Sequence, residues 1–205
     1  MIERRVDALS LTLFVLMICV ALAPKPAQAK ISIHDFAQCL VDFDAARMRD
    51  WVQWDGPGLI YKEVGAIAPR ANCHADAKWE YWALRGALAE ALLMQKFDPV
   101  SIPDFSNAPP VTDIDMALAW GNNDGRRSML LNVYSECLVR GSSRMIFRIL
   151  TTKYGSEDER IAFGALKTDD DECRKLAGGL RPNGSNAVLR ARLALALFRM
   201  VENAD

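Results

Sequence analysis

The chain has 205 residues, 25 Lys and Arg against 26 Asp and Glu, and 51% hydrophobic residues. So even a balance excludes a basic field for nucleic acid, and the apolar content suffices for a packed core. With only two histidines, acid and base chemistry would have to rest on carboxylates or tyrosine.

At the N-terminus, Arg4 and Arg5 precede an apolar run from Leu9 to Ala23, then Pro24-Lys25-Pro26 and the small-x-small triplet Ala27-Gln28-Ala29. This layout predicts a secretory signal peptide over residues 1–29, cleaved between Ala29 and Lys30. The run is about fifteen residues, short of the roughly twenty that span a bilayer as a helix. The expectation is therefore a periplasmic or secreted chain with no stable membrane span after cleavage, and a retained anchor is the alternative. Cys19 lies inside the run behind the bulky Ile18, which argues against a lipid-anchored cysteine. Residues 30–205 carry 22 basic and 24 acidic side chains.

Helical unit 1 is assigned to residues 30–97. Phe36, Leu40 and Val41 share one helical face, and Asp44 is placed to cap a second helix carrying Met48, Trp51 and Val52. Gly56-Pro57-Gly58 stops it. A third segment over 61–71 carries Val64, Ile67 and Ala68, with Pro69 ending or bending it. A fourth helix is predicted from about Asp76 to Lys96, with Trp79, Trp82, Leu88 and Leu92 on an apolar stripe. Trp54 and Tyr81 fall off these apolar faces and are the candidate ligand-facing aromatics; core packing is the commoner use of such rings.

Residues 98–111 contain Pro99, Pro103, Pro109 and Pro110, which preclude a regular helix and mark a linker or an ordered strap. Helical unit 2 covers 112–205. Thr112 with Asp115 reads as an N-cap for a helix through Met116, Ala119 and Trp120, ended by Asn122-Asn123-Asp124-Gly125. That turn lacks the acidic positions of a calcium loop. A helix from about Arg126 pauses near Gly141, and Ser142 caps its successor. Ser156-Glu157-Asp158-Glu159 reads as a capping box for a helix bearing Ile161, Ala162, Ala165 and Leu166. Asp169-Asp170-Asp171-Glu172 reads as a solvated loop, and a last helix starts near Asn186.

The two units share landmarks. Leu84-Arg85-Gly86-Ala87-Leu88-Ala89-Glu90-Ala91-Leu92 and Leu189-Arg190-Ala191-Arg192-Leu193-Ala194-Leu195-Ala196-Leu197 both read Leu-Arg-x-x-Leu-Ala-x-Ala-Leu. Upstream, Phe36-Ala37-Gln38-Cys39-Leu40-Val41 matches Tyr134-Ser135-Glu136-Cys137-Leu138-Val139, and second cysteines follow at Cys73 and Cys173. The chain is therefore expected to be an internally duplicated, all-α protein, its units forming one helical domain or two packed subdomains. Outside the signal, four cysteines allow three pairings. Pairs that treat both units alike and locally are Cys39 with Cys73 and Cys137 with Cys173, each loop worth roughly 3 to 4 kcal/mol in the chain-entropy model. Arg85 and Arg190 occupy matching places beside core leucines. The expectation is that each binds a carboxylate or the carbonyls of a helix end; the functional alternative is that both line a groove for an anionic ligand.

The Cys-Leu-Val landmark, the turn from Gly155 to Arg160 and the closing Leu-Arg-x-x-Leu-Ala helix resemble those of small exported helical proteins of Gram-negative bacteria. The resemblance implies compartment and fold, and brings no activity or site with it. Gly-x-Ser-x-Gly, His-Glu-x-x-His and the Walker pattern are absent from the sequence, so no catalytic residue, metal site or cofactor is assigned. The leading expectation is a non-enzymatic interaction or scaffolding protein of the cell envelope, with another envelope protein as partner. The first alternative is a periplasmic binding module for a small apolar or glycan ligand, using Trp54 and Tyr81. The second is an enzyme with a dispersed carboxylate site.

Overall fold

The computed structural model describes residues 31–53, 63–73, 79–98, 101–121, 123–180 and 185–204, the side chains of 167–169 excepted. Trp54, Ala29 and Lys30 lie outside the described residues. Every described element is a helix: α1 (Ile33–Gln53), α2 (Tyr81–Lys96), α3 (Ile114–Ala119), α4 (Asn123–Thr151), α5 (Glu157–Ala165), α6 (Lys167–Leu176) and α7 (Asn186–Glu202), with one helical turn over 63–67. None of the described helices is long and apolar enough to cross a membrane.

The packing order is α1 on α2, α2 on α7, and α7 on α4, with α3, α5 and α6 laid against α4. Composition explains which helices sit in the middle. In α2 every residue from Leu84 to Leu93 is buried, and α7 is buried almost all round from Arg190 to Val201. A helix that is apolar on all sides belongs inside, whereas α1 and α4 keep a polar outer face.

The two central helices meet at the third place of their shared motif. A Cβ added to Gly86 would lie 2.4 Å from Ala191 Cβ and 2.5 Å from its Cα. Only glycine admits that approach, and it admits it on one side of the contact. The outer helices also correspond. Each is broken five residues after its Cys-Leu-Val cysteine, at Asp44 (φ −155°) and Ser142 (φ −149°). Asp44 caps the helical segment that follows it, accepting from Arg47 N at 3.1 Å. Two disulfides tie these helices down: Cys39–Cys73, with Cα atoms 5.9 Å apart, and Cys137–Cys173, 5.5 Å apart. Such bonds persist in oxidising compartments, outside the cytoplasm.

The proline-rich stretch is an ordered strap. Ile102 and Phe105 are buried in the main core, and Pro103 O accepts from Ser143 Oγ at 3.0 Å. Its end is held by buried Glu136, whose carboxylate accepts from Val111 N, Thr112 N and Thr112 Oγ1 at 3.1, 2.8 and 2.6 Å.

Several boundaries differ from the sequence reading, each for a local reason. Described helix α2 begins at Tyr81 rather than near Asp76, behind an extended Glu80. Thr112 does not cap α3, because its hydroxyl is spent on Glu136; Asp113 does, accepting from Asp115 N and Met116 N. In α5, Ile161 is 59% exposed and Phe163 is the buried apolar residue. The acidic run from Asp169 falls within α6, where the Tyr134 hydroxyl donates to Asp170 and Arg174 bonds Asp171.

Gly86→Ala tests the central contact. Alanine should gain up to about 1 kcal/mol of helix propensity but lose about 1–3 kcal/mol to overpacking, so the urea midpoint should fall. Adding Ala191→Gly, which moves the small residue to the facing helix, should recover most of that loss.

Candidate functional site

The motif arginines do one thing in common. Arg85 donates through Nε and Nη2 to Val52 O at 2.9 and 2.5 Å, and Arg190 Nη2 donates to Leu150 O at 2.6 Å. Val52 and Leu150 each stand thirteen residues after the Cys-Leu-Val cysteine of their unit. Each guanidinium thus ties a central helix to the C-terminal end of its outer helix, where carbonyls lack intrahelical donors.

Beyond that the two sites diverge. Arg190 is 2% exposed and fully engaged. Its Nε and Nη2 meet both oxygens of Glu90 at 2.8 and 2.7 Å, and Nη1 meets Glu159 Oε1 at 2.6 Å. Thr152 O also accepts from Nη2 at 3.1 Å. The other Glu159 oxygen accepts from Gly155 N at 2.8 Å, while Ser156 Oγ accepts from Glu159 N at 3.2 Å, so the capping box of α5 also supplies a ligand to the arginine. His34 Nδ1 lies 3.3 Å from Glu90 Oε1, with the Tyr154 ring 4.8 Å from the imidazole. Burial would raise the Glu90 pKa, but hydrogen bonds and charge from Arg190, with the charge of His34 beside it, outweigh burial and hold the carboxyl below its usual range. Both carboxylates of this cluster are consumed by a structural cation, which makes them a clamp.

Arg85, also buried, lines a cavity. This cavity, of about 920 Å³, lies between the start of α2, one face of α7, the first turns of α4 and the chain from 111 to 120. Arg192, Leu195, Arg199 and Glu202 line it from α7, and their spacing places them on one helical face. Tyr81, Trp82 and Arg85 line it from α2, and Ser128, Met129 and Asn132 from α4. Val111, Met116 and Trp120 complete the wall. The Trp120 indole lies over Gly125, where a Cβ would be 2.4 Å from its Nε1.

Arg192 is incompletely bonded at this wall. Its Nη1 donates to Asn132 Oδ1 at 3.0 Å and weakly to Ser128 Oγ at 3.4 Å, while its Nε is buried with no hydrogen-bond partner among the described residues. Burial, followed by the charges of Arg199 and Arg85, pulls its pKa down.

Of the residues singled out from sequence, Tyr81 and Arg85 meet at this cavity, with the Arg85 guanidinium 6.0 Å from the Tyr81 ring. Arg190 is instead part of the sealed clamp. Sequence reasoning missed Arg192, Arg199, Met116 and Trp120. A signal was available: at the fourth motif place Arg192 stands where the first copy has Ala87, and two places past the motif Arg199 stands where it has Met94. Both arginines stand where the other motif helix has an uncharged residue. Compared with protein-family models, curated proteins and solved structures, the chain matches none.

The clamp has a pH signature. Because the folded pKa of Glu90 is depressed, its contribution is complete above about pH 4.5, the ordinary value, and is lost as pH falls through the folded value. Glu90→Gln should therefore unfold with a shallower acid dependence than the natural chain when urea midpoints are compared from pH 7 down to 3. Glu90→Ala, which strips Arg190 of its two-pronged partner, should cost about 3–5 kcal/mol at pH 7.

Proposed function

We propose that this chain is an exported, non-enzymatic binding protein of the bacterial envelope that takes a small ligand with an apolar or aromatic body. The observation that carries the reading is the cavity of about 920 Å³ walled by Tyr81, Trp82, Trp120, Met116 and Met129. That volume and that mixture of rings, thioethers and a few placed polar groups are those of small-molecule sites. It favours a binding module over the scaffolding role to which the sequence first points. A scaffolding contact draws support from one observation: Val111, Met116, Leu118 and Trp120 are 37–50% exposed within ten residues, so the cavity rim could also meet a protein partner. The enzyme reading gains no support from the close pair Glu90 and Glu159, since both are bound to Arg190.

Matching kinks, disulfides, arginine-to-carbonyl bonds and the Gly86–Ala191 contact support internal duplication, with one copy keeping a clamp and the other hollowed into a site. Export rests on the signal-like leader and on the two disulfides. Produced with its own leader in a bacterial periplasm, the protein should have an intact mass starting at Lys30 and gain two hydrogens per disulfide on reduction; a full-length mass with free thiols would overturn that compartment.

For the cavity, the neutral fluorescent probe N-phenyl-1-naphthylamine should bind the folded protein with enhanced emission. Ser128→Trp, which places an indole at the cavity wall without touching the main core, should weaken that binding by about tenfold or more, worth about 1.4 kcal/mol. Its melting temperature should stay near that of the natural chain. Undiminished binding in this variant would remove the cavity as the site.

A further inference from the structure

Three arginines and two carboxylates line the cavity: Arg85, Arg192 and Arg199, against Asp113 and Glu202. The two acids are already committed. Asp113 Oδ1 accepts from Asp115 N and Met116 N at the start of α3. Glu202 Oε2 accepts from Gln53 Nε2 at 3.0 Å and stands 3.6 Å from Arg49 Nε. Arg192, meanwhile, keeps a buried Nε with no partner among the described residues. A buried cationic donor without an acceptor is costly, and a fold selected only for stability would replace it with an apolar side chain of similar volume.

The other half of the chain shows what completes an arginine in this scaffold. At the seventh place of the first motif Glu90 presents both carboxylate oxygens to Arg190. The seventh place of the second motif is Leu195, which lines the cavity wall. Resting on the cavity as the ligand site, we infer that the ligand is an amphiphile with an oxyanion headgroup, seated on Arg192 with Arg199 and Arg85 flanking, and with its apolar chain along Met116, Met129 and Trp120. Carboxylate and phosphate headgroups share the two-oxygen geometry that a guanidinium fork accepts. The apolar chain accounts for the methionines, whose unbranched side chains adapt to flexible ligands.

The test compares dodecanoate, dodecyl phosphate and dodecanol, kept below their micelle concentrations, by displacement of N-phenyl-1-naphthylamine from the full-length disulfide-bonded protein. The expected result is that at least one of the two anions binds about tenfold to a hundredfold more tightly than the alcohol, and the tighter of the two identifies the headgroup. Arg192→Gln should remove most of that preference, weakening the anions far more than dodecanol or the naphthylamine. Arg192→Lys should keep part of it. Because Arg192 is incompletely paired, Arg192→Gln should melt no lower than the natural chain, which separates loss of an anchor from loss of fold. Should the naphthylamine bind while dodecanol and both anions compete equally, or should Arg192→Gln leave the preference intact, the headgroup assignment is overturned and the apolar cavity stands. If neither the naphthylamine nor any of the three chains binds, the binding reading falls and this inference with it.

Discussion

Backbone contact between α2 and α7 at Gly86 and Ala191 is the constraint on which the rest of the structure depends. A missing Cβ lets two helices, each apolar nearly all round, approach closely enough to act as a single buried centre. Once they are joined, α1 must cover α2 and α4 must cover α7. The order of packing follows from which helices have a polar face to spare. The disulfides then anchor each outer helix to the segment leading into its central partner, shortening the loops that must close before the centre can form.

Polar groups in such a centre have to be few and fully bonded, and the two motif arginines solve that differently. Arg190 draws together α2 through Glu90, the start of α5 through Glu159, and the end of α4 through Leu150 O and Thr152 O. An ion cluster of this kind contributes less net stability than its bond count suggests, because three charges must be desolvated first. Its effect is on orientation: three segments can satisfy one guanidinium in one arrangement. Arg85 makes the matching bond to Val52 O, but its surroundings are a cavity wall.

That contrast follows three pairs of positions counted along the shared motif. Ala87 corresponds to Arg192, Glu90 to Leu195 and Met94 to Arg199. In the first copy these positions fill and neutralise the interior; in the second they line a cavity and load it with positive charge. Accepting an underpaired Arg192 lowers stability, and proteins tolerate such losses mainly where a site needs them.

Helical class, kink positions and the local disulfide logic were legible in the residues themselves. Asp44 and Ser142 are both residue types suited to capping, each five residues after a Cys-Leu-Val cysteine, and capping is decided within four residues. The same locality made Ser156 and Glu159 readable. Sequence could also say that Arg85 and Arg190 sit beside core leucines and would seek carbonyls or a carboxylate. It could not say that Glu90, a hundred residues from Arg190, is that carboxylate, or that Thr112 surrenders its capping role to Asp113 because Glu136 takes its hydroxyl. Nor could it assemble Tyr81, Met116, Trp120, Arg192 and Arg199 around one cavity. Those residues come from three stretches of chain whose proximity depends on how α2 crosses α7 and where the proline-rich strap is pinned. Periodicity and capping are short-range effects written into neighbouring residues, whereas a cavity is the space left after long-range packing is complete, and no local pattern encodes it.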